Sequence, residues 1–207
     1  LIDEYDKPLL QNLHDEEMQN RFRNMLKPFY GVLKTMDRAI RFALLTGVTK
    51  FGKVSVFSDL NNLDDISMRE PYAAICGITE TELRTHFDED IHTLASALER
   101  TYEEARSLLR KRYDGYHFVA GGPGIYNPFS LLNTFKYMRL SDYWFETGTP
   151  TYLVELLKRT NYDLYDMANT ETDADVLNSI DSASNNPIPV IYQSGYLTIK
   201  DLSLIHI

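Results

Sequence analysis

The spacing of apolar positions changes twice within the first fifty residues. Leu1 and Ile2 run straight into Asp3 and Glu4, which reads as the end of a buried strand meeting an acidic edge. Across 12–36, the residues Leu13, Met18, Phe22, Met25, Phe29, Leu33 and Met36 recur every three to five positions, the spacing of one helical face. Pro28 lies inside this stretch and is expected to divide it into two helices or to kink it. The mainly apolar run 40–48 contains ALLTG and reads as a second buried strand, of the kind found in parallel sheets covered on both faces. Strand, helix and strand in this order suit an α/β unit.

Further along, the pattern becomes mainly helical. Residues 49–70 form a polar connection holding one β-like stretch, KVSVFS. Thr79-Glu80-Thr81-Glu82 has the spacing of a capping box, and a helical period runs from there to about Lys111. The segment 113–116 reads as a turn, and 116–119 with 125–126 as a hairpin closed by Gly121-Gly122-Pro123-Gly124. Asn127-Pro128 opens a helix to about Arg139, and Pro150 suits the first turn of another, ending near Arg159. Short helices are expected near 173–180 and 188–193, and a strand at 196–199. Helices followed by a strand suggest a small winged-helix-like module.

Composition narrows the class. With 207 residues, 43% hydrophobic and 25% charged, the chain is long enough to bury a core of its own. Its 30 acidic residues outnumber 21 basic ones, a formal charge of −9 that disfavours a general duplex-DNA binder, though a local basic patch stays open. Cys76 is the only cysteine, so no internal disulfide forms and a reducing cytoplasm is the expected compartment. No apolar run spans a bilayer, and no membrane partner is expected.

Among candidate sites, Asp3-Glu4 comes first. At the C-terminal end of a parallel strand, an aspartate can hold magnesium through water while the next glutamate orients or deprotonates the attacking water. A solvated acidic turn is the plainer alternative. Thr46 ends the second strand, where nucleotide hydrolases of the additional-strand class place a polar residue that senses the terminal phosphate. Lys50 and Lys53 are as well explained by solvation as by phosphate contact. His86 and His92 flank Asp88-Glu89-Asp90 but match no common ligand spacing. The glycine-rich 121–124 loop lacks the Lys-Ser/Thr pair of a phosphate-binding loop. Cys76 is expected to be buried. Asp3, Glu4 and Asp6 with Lys7 would also pass for a metal-dependent nuclease set, but no separate supporting acidic strand is apparent.

LIDEYDKP, LLTGVTKFGKVSVFSDLNNLDDIS, CGITETEL, RYDGYHF, YNPFSLLN, FETGTPTYLVELL and IPVIYQSGYLTIKD succeed one another in the chain. In this order they resemble the bacterial AAA-ATPase-like family, whose full-length members often carry a PD-(D/E)XK nuclease-like domain at the C-terminus. The resemblance implies an α/β P-loop NTPase, present here as the C-terminal part of its nucleotide domain, followed by a mainly helical, winged-helix-like module. Residues 1–70 would carry the Walker B and sensor strands, 71–147 a helical region with a small hairpin, and 148–201 the winged-helix-like module. Asp3 would be the magnesium-linked carboxylate, Glu4 the catalytic base, and Thr46, or less readily Thr49, the sensor. Gly148-Thr149-Pro150 resembles the GxP signature that brings a helix N-terminus to the nucleotide. The resemblance supplies no mechanism for RYDGYHF, whose aromatics are expected to pack a helical module.

The cofactors implied are ATP and Mg2+ in the full-length protein. No G-x-x-x-x-G-K-[ST] occurs in these residues, so the Walker A loop is expected upstream of Leu1, and the chain alone is expected neither to bind ATP tightly nor to hydrolyse it. The last six residues, 202–207, are what CTG TCT CTT ATA CAC ATC encodes, the end sequence of a transposase adapter. The gene's own sequence is therefore expected to stop near Asp201. The leading expectation is an ATPase whose closure around ATP moves the winged-helix-like module and a downstream effector domain. The alternative is a non-catalytic scaffold that binds a protein or DNA through that module. A nucleic-acid or protein partner and a homo-oligomer stay open.

Overall fold

The computed structural model describes residues 1–12, 15–50, 56–57, 60–146, 151–160, 171–177 and 186–199. They form two compact units. The first comprises Leu1–Asp64 and Pro150–Leu197, the second Asp65–Thr149 and Thr198–Ile207.

In the first unit, Ile2 pairs with Leu45 in a parallel bridge. Ile2 N donates to Leu44 O at 2.9 Å, Thr46 N to Ile2 O at 2.9 Å and Tyr5 N to Thr46 O at 3.0 Å. The expected adjacency of the two apolar runs is therefore present, but a fully buried strand over 40–48 is not. Only Leu45 is bridged there, while Phe42 is 77% exposed and Val48 38% exposed. Among the described residues this pair has no further strand beside it, so its outer edge carries no ladder partner.

Between the paired runs lie two helices, α1 (Lys7–Leu10) and α2 (Glu16–Thr35). Asp15 caps α2 by accepting from Met18 N at 2.9 Å, with Glu16 and Glu17 in its first turn and Lys34 in its last, as the helix dipole favours. The helix runs unbroken past Pro28, so of the expected division or kink at that residue the division does not occur. The proline sits on an exposed position, where water can take over the carbonyl it leaves unpaired. One side of α2 turns Tyr30, Phe22, Leu26 and Leu33 onto a core of Leu9, Leu10, Val56, Leu60, Val190 and Ile191. The opposite side leaves Met25, Phe29, Val32 and Met36 exposed. The C-terminal contribution includes the helices Thr151–Thr160, Ala174–Leu177 and Ile188–Gln193. Burial pushes the Tyr192 phenol up to about 12. The strand expected at 196–199 does not form. The chain leaves the last helix in a turn, with Gly195 at a φ of 81° and Tyr196 N bonded back to Ile191 O.

The second unit is built from α3 (Glu80–His86), α4 (Asp88–Ala97), α5 (Tyr102–Tyr113), α6 (Pro128–Tyr137) and the short α7 (Tyr143–Glu146). Two strands, β1 (Ile78–Thr79) and β2 (Ile125–Tyr126), pair antiparallel with Ile78 opposite Tyr126. Gly77 is required beside them, since a Cβ there would fall 2.3 Å from Ile125 Cδ1. The core holds Leu83, Ile91, Leu94, Leu109, Tyr126, Leu131 and Phe135, with Phe87 stacked on Phe135 at 5.6 Å. The expected hairpin reduces to one bridge, Tyr116 to Ile125.

The Thr79 capping box forms as its spacing predicts: Glu82 N donates to Thr79 Oγ1 at 3.2 Å and Thr79 N to Glu82 Oε2 at 2.9 Å. The helical period expected from 79 to about 111 is divided among three helices. Glu99 adopts the left-handed conformation (φ 53°), and Arg100 N reaches back to Ala95 O at 2.9 Å, which closes α4. Thr101 and Glu104 then form a second capping box that starts α5. Asn127 caps α6 by accepting from Ser130 N at 2.8 Å, where the sequence placed that start.

RYDGYHF acts as a structural staple. Tyr113 Oη donates to Ser141 O at 2.8 Å and accepts from Thr134 Oγ1 at 2.9 Å and Ser141 N at 3.1 Å. Asp114 accepts from Gly115 N at 2.7 Å, and His117 N donates to Thr198 Oγ1 at 2.7 Å. Cys76 is exposed, not buried as its residue type suggested, because it lies in the turn that leads to β1. His92 rests against the Tyr102 ring at 4.6 Å, and Tyr102 Oη donates to Asp88 Oδ1, which accounts for this cluster as helix-surface packing.

Replacing Thr79 by Ala removes the cap acceptor and should cost about 1 kcal/mol, read as a fall in urea midpoint. The Thr79 amide and hydroxyl hold the Glu82 carboxyl below its usual range. Its contribution is therefore fully present above the unfolded value near 4.5 and is lost as pH falls through the lower folded value. The gap between the wild-type and Thr79→Ala urea midpoints should narrow in strong acid, where the hydroxyl–carboxylate bond is lost, and keep the part due to the bond from Glu82 N to Thr79 Oγ1.

Candidate functional site

In a parallel pair, the residues just beyond two bridged positions lie side by side at the strand ends. Asp3 comes after Ile2 and Thr46 after Leu45, and the Thr46 hydroxyl donates to Asp3 Oδ1 at 2.5 Å. Glu4 N also donates to Asp3 Oδ1, at 2.9 Å. Both acidic side chains are exposed. Glu4 takes a φ of 49°, in the left-handed region that costs a residue with a Cβ on the order of 1 kcal/mol. The chain turns directly after it, at residues 5–6. Lys7, on the first turn of α1, places Nζ 2.5 Å from Glu4 Oε2. The bond to Glu4 and its charge raise the Lys7 ammonium above its ordinary value. Both groups are about half exposed, so solvent screens the pair and it adds little to stability.

The next two residues turn inward. Tyr5 Oη donates to Thr49 O at 3.0 Å, and its ring meets Phe57 at 4.8 Å. Asp6 is fully buried. A charged carboxylate out of contact with water must be hydrogen-bonded to be tolerated. Asp6 Oδ1 accepts from Val48 N at 3.2 Å, and Oδ2 accepts from Thr49 N at 2.5 Å and Thr49 Oγ1 at 2.7 Å. Burial, with the Asp6 charge behind it, raises the Tyr30 phenol. Gly47 lies against this arrangement so closely that an added Cβ would be 2.6 Å from Asp6 Oδ1 and 2.7 Å from Tyr5 Cε1. Beyond Thr49, Lys50 N donates to Gln193 Oε1 at 2.5 Å, while Gln193 Nε2 donates to Leu177 O at 2.6 Å.

The geometry distinguishes the residues singled out from sequence. Thr46 meets Asp3, whereas Thr49 is 3% exposed with its hydroxyl committed to Asp6. Asp6 faces the 47–49 loop and does not join Asp3 and Glu4, so the nuclease set loses a carboxylate. Gly148, Thr149 and Pro150 lie outside the described residues, as do Lys53, most of KVSVFS and the 202–207 tail. Sequence reasoning weighed Asp6 only as a metal ligand and did not consider Gln193. The first is an acceptor for a loop 42 positions away, and no local spacing marks such a pair.

Among the described residues, no group of three or more His, Cys, Asp or Glu is placed to hold a metal ion. An exposed carboxylate beside a hydroxyl suits Mg2+, which keeps most of its water and takes the rest of its shell from one or two carboxylates and phosphate oxygens. It does not suit a zinc or calcium cage.

Residues 1–57, which contain both the acidic strand end and Thr46, match the AAA-ATPase-like family, described as a predicted AAA-ATPase. The chain is 40% identical over 205 residues to an uncharacterized protein from the vnfD 5' region of Azotobacter chroococcum mcd 1. That match covers 99% of this chain and 37% of the relative, so the chain spans little more than a third of the relative's length. No solved structure matches. Among the described residues, no helix is long and apolar enough to cross a membrane.

Gly47→Ala should destabilise the first unit by about 1–3 kcal/mol through overpacking against Asp6 and Tyr5. Gly31→Ala, in α2 with nothing within 4 Å of the added Cβ, should stabilise it by about 0.5–1 kcal/mol. Urea unfolding measured by fluorescence compares the two; similar effects from both would contradict the close packing at Gly47.

Proposed function

We propose that this chain is part of an AAA-like ATPase, with Asp3-Glu4 as the Walker B carboxylates and Thr46 as the sensor of the terminal phosphate. The observation that carries the reading is the Thr46 hydroxyl on the Asp3 carboxylate across the parallel Ile2–Leu45 pair, beside the exposed Glu4. The match of residues 1–57 to a predicted AAA-ATPase family supports it.

On this reading the fold is an α/β P-loop NTPase and the substrate is ATP. Mg2+, when bound, would offset phosphate charge and orient the nucleotide. Asp3 would hold it through water, and Thr46 would shift its hydroxyl from Asp3 toward the terminal phosphate. Glu4 would take the proton of the attacking water, for which it must first leave Lys7. The phosphate-cradling amides and lysine are assigned to a longer polypeptide, since no G-x-x-x-x-G-K-[ST] occurs in the 207 residues and the relative is much longer than the chain. Gly148-Thr149-Pro150 would bring the winged-helix-like module to the nucleotide. Closure around ATP would then move that module and any downstream effector domain.

The Lys7–Glu4 pair favours a second reading, because a carboxylate already engaged by a lysine suits a non-catalytic scaffold that binds a protein or DNA partner. Substitution separates the two. In a longer protein that supplies the P-loop, Glu4→Gln should lower ATP turnover on the order of 10²-fold or more while ATP binding persists. Unchanged turnover, or none in the wild type, would favour the scaffold. The 207-residue chain alone should show no Glu4-dependent hydrolysis; such turnover would refute the assignment of the phosphate cradle elsewhere.

A further inference from the structure

We propose that Asp6 is a positioning residue for Thr46, and that with Gln193 it clamps three successive backbone amides of the loop after the second apolar run. Val48 N and Thr49 N are held by the Asp6 carboxylate, and Lys50 N by the Gln193 carboxamide. The loop is thereby gripped from two directions: by the residue that opens α1 and by the last residue of the helix Ile188–Gln193. Thr46 stands two residues before the first clamped amide, with Gly47 between them pressed against Asp6. Thr46 is held on the strand side by its own N and O, bonded to Ile2 O and Tyr5 N, and few backbone torsions separate it from the clamp, which holds it from the loop side. Asp6 touches neither Asp3 nor Glu4 in any hydrogen bond described, and its effect on them runs through Thr46. Gln193 extends the same loop to the C-terminal helices through Leu177 O. A shift of Thr46 from Asp3 toward another acceptor therefore pulls on a loop tied to those helices.

The clamp is a property of this chain. Its role in turnover rests on the ATPase reading, and the tests separate the two. Amide exchange and the Thr46 methyl resonance are measured by NMR on the full 207-residue chain. Asp6→Asn should speed exchange at Val48 and Thr49 on the order of tenfold or more and move the Thr46 methyl shift, leaving second-unit signals unchanged. Gln193→Leu should speed exchange at Lys50 alone. Unchanged exchange at Val48 and Thr49, or freed amides with an unmoved Thr46 methyl, would overturn the proposal. If Asp6→Asn does not fold, Thr49→Val decides: it should change the Thr49 amide and the Thr46 methyl in the same directions by less, and no change would overturn the clamp.

In a longer protein shown to hydrolyse ATP, Asp6→Asn should lower kcat with KM little changed. Combined with Thr46→Ala, it should be no worse than Thr46→Ala alone; additive losses would contradict positioning through Thr46. Absence of any Glu4-dependent turnover would defeat the ATPase reading while leaving the exchange results to stand or fall by themselves.

Discussion

A fully buried carboxylate sets the conditions for the acidic edge of the first unit. A buried Asp6 side chain needs hydrogen-bond donors, and Val48 N, Thr49 N and Thr49 Oγ1 supply them. In return, the loop after Leu45 has its amides fixed in one arrangement. That constraint accounts for a glycine at position 47, where a side chain would strike Asp6 and Tyr5. It also explains why Thr49 is buried and Thr46 is the threonine left at the strand end. Four neighbouring residues, Asp3 to Asp6, thus divide between two tasks. The first two face solvent with their carboxylates, and the last two hold the loop that brings Thr46 to Asp3.

The arrangement suits a site that awaits a partner for its polar groups. Thr46 and Asp3 satisfy each other, as do Lys7 and Glu4, through exposed bonds that are cheap to exchange. The bonds from Thr49 to Asp6 are buried and costly to break. On the ATPase reading proposed above, exposed bonds over a buried support would let the polar groups turn to a nucleotide. Glu4, with its left-handed backbone, keeps its carboxylate exposed beside Lys7.

Local signals in the sequence translated well into structure. The Thr79-x-x-Glu82 spacing, Asn127 before Pro128 and the 188–193 helix each depend on neighbours within four positions, and each formed as read. The side-by-side placement of the two apolar runs was legible because each ends in polar residues after a short hydrophobic stretch. Breaks in helices were less so. Pro28 did not interrupt α2, because the amphipathic face around it packs on a continuous core, whereas Glu99 ended α4 by adopting a conformation usually left to glycine. The strand at Ile78–Thr79 escaped notice because two residues carry no periodicity. Asp3, Glu4 and Thr46 stand out in the sequence because they follow the apolar runs, and the structure brings Asp3 and Thr46 together. The roles of Asp6 and Gln193 do not stand out, since their partners lie 42 and 143 positions away.

The central claim is that Asp3, Glu4 and Thr46 face the terminal phosphate of ATP. A crystal structure of a longer protein that includes the P-loop, with Mg2+ and a non-hydrolysable ATP analogue, tests it most directly. The account predicts the terminal phosphate against the Thr46 hydroxyl, with Asp3 contacting the water shell of the metal and Glu4 released from Lys7. Nucleotide bound elsewhere, with Thr46 still on Asp3 and Glu4 still on Lys7, would contradict it.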